Sequence, residues 1–323
     1  MQKQTMRVLV AGATGAVGRP LVSALVAAGY TVAGVTHTAA KKDIIRRLGA
    51  EPVLANGLEA AQVQAAVDAI RPDVIVHEMT DLSGVTDLRH FDRSFAKSNL
   101  LRTHGTDVLL AAARRAGVKR LVAQSFCGWP YARTGAPIKT EKDKLDIDPP
   151  AELRPSFDAI YHLEQSTITS SSPEGIVLRY GTFYGPATGV FEPAMVEQIR
   201  RRRVPLIGDG AGWWSFVHVD DAAAATVRAI ERGEAGNIYN IVDDEPAQVR
   251  EWLPELARLL GAKRPLRLPA WIARFLAGDH VVAMMTEVRA GSNAKARTEL
   301  LWEPAHPSWR KGFADIAARL PTQ

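Results

Sequence analysis

Short apolar runs alternate with helical segments along the first half of the chain, and this alternation restricts the fold more than any other feature. "MRVLVAG" is β-rich and ends on glycine, "GRPLVSALVAAGY" has helical periodicity and closes on Gly29, and "TVAGVT" is a second strand. The rhythm continues through "IIRRLGA", "EPVLAN", "AAQVQAAVDAI", "DVIVHEM", "GTDVLLAAARRAGV", "RLVAQS", "RPSFDAIYHLEQSTITS" and "GIVLRYG". Strands apolar on both faces and separated by helices require a parallel sheet covered on both sides, so the expected class is a doubly wound α/β fold.

After Pro186 the segments shorten, and proline and tryptophan become more frequent. "WSFVHVDDAAAATVRAIERG" reads as one strand and one helix returning to the sheet. We therefore expect residues 1–185 to form a dinucleotide-binding domain, with 216–242 returning to it. The rest of 186–323 is expected to form a smaller mixed α/β substrate-binding domain over the strand ends, where open α/β sheets bind ligands. With 323 residues and 46% hydrophobic content, the chain can bury cores of this size.

The formal charge of +5 comes from scattered basic residues, apart from Arg200 to Arg203. That quartet follows the helical "PAMVEQI", where cations complement a helix C-terminus, so no nucleic-acid partner is expected. The single cysteine, Cys127, excludes an intramolecular disulfide framework and suits a reducing compartment. No metal motif is present, because His77-Glu78 lacks a second histidine. Glycines, Arg19 and Pro20 break the apolar stretch from 8 to 35, which speaks against a signal peptide or membrane span. A cytoplasmic protein with no membrane partner is expected, with a homodimer left open.

"GATGAVG" sets Gly12, Gly15 and Gly18 between the first strand and the first helix. The first glycine permits the tight turn, the second lets backbone approach a pyrophosphate, and the third allows close helix–strand packing, with the helix N-terminus supplying positive potential. Gly12, Thr14, Gly15, Ala16, Val17 and Gly18 are thus the candidate cofactor cradle. At the end of the second strand, an NAD site carries an acidic residue for the ribose hydroxyls. Here "GVTHTAAKK" offers Thr36, His37 and Lys41 and no carboxylate, so NADP(H) is preferred and NAD(H) remains possible.

Seven segments in order, "GATGAVG", "PDVIVHEM", "RLVAQS", "LRYGTFYGP", "IGDG", "SFVHVDDAAAA" and "GNIYNIVDDEP", resemble the extended short-chain dehydrogenase/reductase superfamily, in its NAD(P)-dependent epimerase/dehydratase branch. "SNAKARTELLWEP" is similar to the C-terminal segment of an atypical subgroup. The resemblance implies a Rossmann domain, a nicotinamide cofactor and a C-terminal substrate domain. It places Asn56 where the family has an Asp near the adenine amino group, and Tyr184 in a segment bordering the nicotinamide pocket.

Family members that move hydride at a carbinol carry YxxxK, followed by Glu four residues beyond the Lys; the phenol exchanges the hydroxyl proton and the ammonium lowers its pKa and holds the ribose. Anchored on Glu164, that pattern puts Ser156 at the Tyr position and Ile160 at the Lys position. Slipping the frame to Tyr161 pairs it with Gln165, which carries no charge. The catalytic candidates that remain are Tyr161, at the edge of the stripe, and Ser125, after the fifth strand. Each also has a plain structural reading, as do His162 and the reading of Asp220 or Asp221 as a helix N-cap.

These features predict an NADP(H)-dependent oxidoreductase acting on a small to medium organic substrate with a noncanonical proton donor. A nucleotide-sugar epimerase or dehydratase is one alternative. A catalytically silent NAD(P)-binding sensor is another.

Overall fold

The computed structural model describes residues 5–82 and 91–320. Its centre is a seven-stranded sheet: β1 (Arg7–Ala11), β2 (Thr31–Thr36), β3 (Glu51–Leu54), β4 (Val74–His77), β5 (Arg120–Phe126), β6 (Glu174–Tyr180) and β7 (Ile238–Ile241). The strand order is β7-β6-β5-β4-β1-β2-β3 and every pairing is parallel, so the order reverses between β1 and β4. The doubly wound Rossmann-like class read from the alternation is the observed one. Such a reversal opens a crevice at the strand carboxyl ends, where ligands of these sheets bind.

Helices cover both faces. On one, α1 (Gly18–Ala27) packs with a later helix, Val219–Arg232, and buries Leu21, Val22 and Leu25 against Val8, Val10 and Ile176. On the other, Ala60–Ile70 and Thr106–Ala116 bury Val63, Val67, Leu109 and Ala113 against Leu9, Ile75 and Leu121. Arg154–Ile168 lies on this second face and adds Leu163.

A further aromatic core collects Tyr184, Phe191, Trp252, Trp309 and Phe313 from segments after β6. The chain returns through the short strand Phe216–His218, which pairs with Thr182–Gly185, before helix Val219–Arg232 and β7. The residue capping that helix is His218 rather than Asp220 or Asp221: its Nδ1 accepts from the Asp220 N–H at 3.2 Å. Asp221 is instead buried and accepts from the Ala305 and His306 N–H groups at 2.8 and 2.9 Å, tying the C-terminal segment to the sheet. The Arg200 to Arg203 run starts at the last residue of helix Pro193–Arg200, as the dipole argument expects.

Among the described residues, no helix is long and apolar enough to cross a membrane, and no three His, Cys, Asp or Glu side chains gather as metal ligands.

Candidate active site

The three glycines have distinct structural duties. Gly12 has φ +96°, and a Cβ there would sit 2.5 Å from the Glu78 carbonyl oxygen. A Cβ on Gly18 would fall 2.1 Å from the Gly12 carbonyl, so helix and turn close on each other only because both positions are bare. Gly15 differs: it is exposed, and its added Cβ would meet only Gly12 O, at 3.2 Å. Ala16 is exposed beside it. Val17 gives α1 no side-chain cap, and the first turn has no acidic residue, so the N-terminal N–H groups keep their donor capacity for an anion. A shallow backbone cradle at an uncapped helix end fits a dinucleotide pyrophosphate. Thr14 is half-buried beside it and accepts from Arg19 Nε at 3.0 Å through its carbonyl.

Thr36 ends β2 in a buried position, and its Oγ1 accepts from the Thr38 N–H at 3.2 Å. His37 and Lys41 are exposed just beyond. The nearest acidic side chain in sequence, Asp43, is paired with Arg46. Asn56 Oδ1 accepts from the Leu58 N–H at 3.1 Å, which leaves one lone pair for an adenine amino group.

At the end of β5, Ser125 is buried and its Oγ donates to Glu164 Oε1 at 2.6 Å. The same carboxylate receives both Arg179 Nε, at 2.7 Å, and Nη2, at 2.5 Å. Arg179 Nη1 reaches the Tyr131 hydroxyl at 3.0 Å, and that hydroxyl donates to Asn240 Oδ1 at 2.8 Å. Ser125, Glu164, Arg179, Tyr131 and Asn240 therefore form one buried polar line across the ends of β5, β6 and β7. Burial pushes the Tyr131 hydroxyl and the adjacent Cys127 thiol well up, so neither ionises at neutral pH.

Ser156 and Ile160 are both fully buried. Ser156 Oγ accepts from Asn99 Nδ2 at 2.9 Å, and Asn99 Oδ1 accepts from Arg102 Nη1 at 3.3 Å. Arg102 sits in a single π-helical turn, Leu101–Gly105, and burial brings its pKa down to about 10. Among the described residues it has no carboxylate partner.

Tyr161 is half-exposed, with its ring stacked on Phe157, and no hydrogen bond joins it to Ser125. His162 faces away to Asp107, at 2.8 Å. Tyr184 is fully buried in the aromatic core, edge-on to His218 and Phe313.

Sequence reasoning did not single out Glu78, at the end of β4. Burial pushes its pKa up to about 8, with Tyr180 beside it. The Tyr180 hydroxyl lies 3.1 Å from Glu78 Oε1 and 2.6 Å from Thr226 Oγ1, whose own proton goes to the Ala222 carbonyl. Tyr180 donates to Glu78 Oε1, which favours the carboxylate, and the upward push toward the neutral carboxyl comes from burial. The signal available in sequence was an acid closing the apolar run "VIVHEM". Beside the end of β5 an aromatic cluster packs together: Phe91 meets Trp129 at 6.1 Å and His280 at 6.0 Å, and Phe126 meets Trp129 at 6.4 Å.

With these elements, the chain belongs to the NAD dependent epimerase/dehydratase family, whose signature matches residues 8–242. It is an NAD(P)-dependent oxidoreductase. The similar proteins include 3-diazoavenalumate denitrifying reductase from a Streptomyces species, 43% identical over 95% of this chain and 99% of that one. A quinoline-oxide ketoreductase from Stigmatella aurantiaca is 28% identical, covering 80% of this chain and 74% of its own. The fold is shared with UDP-glucose 4-epimerase from Thermus thermophilus in complex with NAD, at TM-score 0.74, 24% identity and 98% and 100% coverage. It is also shared with a human epimerase family protein bound to NADPH, at TM-score 0.73, 19% identity and 98% and 100% coverage.

Proposed function

We propose that this protein is an NADP(H)-dependent reductase that removes nitrogen from a diazo- or diazonium-bearing organic substrate. The observation that carries the reading is the burial of Ser156 and Ile160, which we align with the positions where a carbonyl or carbinol enzyme of this family needs its phenol and ammonium. The 43% identity to a denitrifying reductase over 95% of the chain supports it. When bound, the reduced nicotinamide would supply hydride: at a diazonium-bearing carbon a C–H bond would form as the C–N bond breaks with its electron pair leaving on N2, and no proton is required there, whereas a neutral diazo carbon would also take up one proton.

The chain's own residues then bind and exclude. Gly12, Thr14, Gly15, Ala16, Val17 and Gly18 receive the pyrophosphate, Asn56 the adenine, and Thr36, His37 and Lys41 a 2′-phosphate. Lysine and histidine with no free carboxylate at the end of β2 favour the phosphorylated ribose by charge. Arg102 is a buried cation linked through Asn99 to Ser156. Ser125 is held by Glu164 as a fixed polar group at the strand end. Neither it nor Tyr161 need act as an acid, although these are the two side chains a proton-requiring reaction would turn to. Phe126 and Trp129, at and just after the end of β5, put apolar side chains close to the strand ends.

Titration with NADP+ and NAD+ tests the first half: NADP+ is expected to bind at least tenfold more tightly, and equal affinities would remove the 2′-phosphate assignment. Incubation with NADPH and 4-carboxybenzenediazonium tests the second, with benzoate and N2 expected in step with NADPH loss. NADPH loss with simple ketones but not with the diazonium salt would favour a ketoreductase.

A further inference from the structure

A cavity of about 550 Å³ opens between the loop after β5 and the strand-like segment before Gly291, and the function above leaves its side chains unused. Arg133, Lys144 and Arg289 line it, together with Asp146 and Glu287, so three cations face two carboxylates. The balance is not shared evenly. Arg133 takes both acids, through Nε to Asp146 at 2.8 Å and Nη1 to Glu287 at 2.6 Å, and adds the Asp148 carbonyl at 3.0 Å. Arg289 has no carboxylate among the described residues: its Nη1 donates to the Glu287 backbone carbonyl at 3.0 Å, and its Nε is buried without any partner. Lys144 is exposed at the rim and has no ion-pair partner among the described residues.

A guanidinium with an unmet buried donor is costly, and an arriving oxyanion offsets that cost. The remaining wall combines Thr134 and Thr286 with the apolar Ala132, Leu145 and Ile147, and Ile147 is 85% exposed. The cavity also adjoins the polar line at the strand ends. Tyr131 pairs with Leu145 in an isolated antiparallel bridge, and Tyr131 is joined through Arg179 and Glu164 to Ser125.

We propose that this cavity is a carboxylate subsite: Arg289, supported by Lys144, binds the carboxylate of an apolar organic acid whose hydrocarbon part lies on Leu145 and Ile147. Arg133 is the cross-brace that fixes Asp146 and Glu287 and keeps them from the incoming anion. The inference deepens the reductase reading by giving its substrate a second functional group. It rests on that reading only for the identity of the reacting end.

Calorimetric titration of the cofactor-free protein with trans-cinnamate and with cinnamamide tests the subsite without turnover. Cinnamate is expected to bind saturably and at least tenfold more tightly than the amide. Arg289→Met is expected to remove that preference while leaving the amide's affinity and the melting temperature nearly unchanged. Arg289→Lys should restore part of it, and Lys144→Gln should lower it severalfold. Equal affinity for acid and amide, no saturable binding of the acid, or an acid preference that survives in Arg289→Met would overturn the proposal. Because NADP+ binding is measured separately, loss of the subsite and loss of the reductase reading are distinguishable outcomes.

Discussion

Glu164 and Arg179 form a two-bonded ion pair in which the side chains are 1% and 5% exposed, 15 residues apart on a helix and its following strand. The pair spans the layer between the helix and β6, and Ser125 and Tyr131 complete its hydrogen bonding. Removing one partner leaves a buried charge uncompensated. Glu164→Leu is expected to cost about 3–5 kcal/mol of unfolding free energy. The double variant Glu164→Leu/Arg179→Met should recover most of that loss in urea titration. A double variant as unstable as the single one would show that the pair does more than neutralise itself.

Glu78 makes stability fall with rising pH. Its carboxyl titrates near 4.5 when exposed and is pushed up to about 8 in the folded protein, so the folded state holds the extra proton between those values. The native state is thus penalised progressively from about pH 4.5 to about pH 8, to an extent on the order of a few kcal/mol, and no further above that. Glu78→Gln keeps the shape and cannot ionise. Urea midpoints measured across this range should converge for variant and wild type at low pH, with the variant the more stable near pH 8.5. A constant difference at every pH would contradict the neutral carboxyl.

The glycine turn separates folding from binding. Gly12→Ala places a Cβ against backbone at a positive φ and is expected to destabilise by at least about 2 kcal/mol. Gly15→Ala meets only the Gly12 carbonyl oxygen, at 3.2 Å, so a shift of a few tenths of an ångström is needed; it is expected to cost about 1 kcal/mol, yet to weaken NADP+ binding tenfold or more. Thermal melts and cofactor titration on the two variants check both halves.

Tyr161 is half-exposed on Phe157, and a reaction without proton donation has no need of its phenol. Tyr161→Phe should keep turnover of the diazonium substrate within about twofold, since surface substitutions of this kind shift free energies by only a few tenths of a kcal/mol. A hundredfold loss of kcat without loss of NADP+ affinity would restore it as the acid.

The sheet was legible because its strands are apolar on both faces and each is bounded by a helix: "VLVA" and "VIVH" admit few other environments. The glycine turn was legible too, since three glycines at that strand–helix junction have a mechanical cause. The polar interior was less so. Arg179 appears in "VLRYG" as a lone cation in an apolar strand, but nothing in the spacing announces that Glu164 and Tyr131 converge on it. Arg102 is hidden further, because only the π-helical turn directs it inward to Asn99, and its sequence neighbours look like an ordinary helix surface. The reading of Asp220 or Asp221 as a cap failed because histidine, a weaker capping residue, took the position while Asp221 was drawn to the backbone of a segment some 85 residues away.

The most direct test of the central claim is isotopic. Deuterium carried on the transferring position of NADPH is expected to appear, one atom per product, at the carbon that loses nitrogen, and the same reaction run in D2O with unlabelled cofactor should leave that carbon free of deuterium. Solvent deuterium at that carbon, or nitrogen loss without cofactor oxidation, would contradict a direct hydride transfer that needs no proton donor.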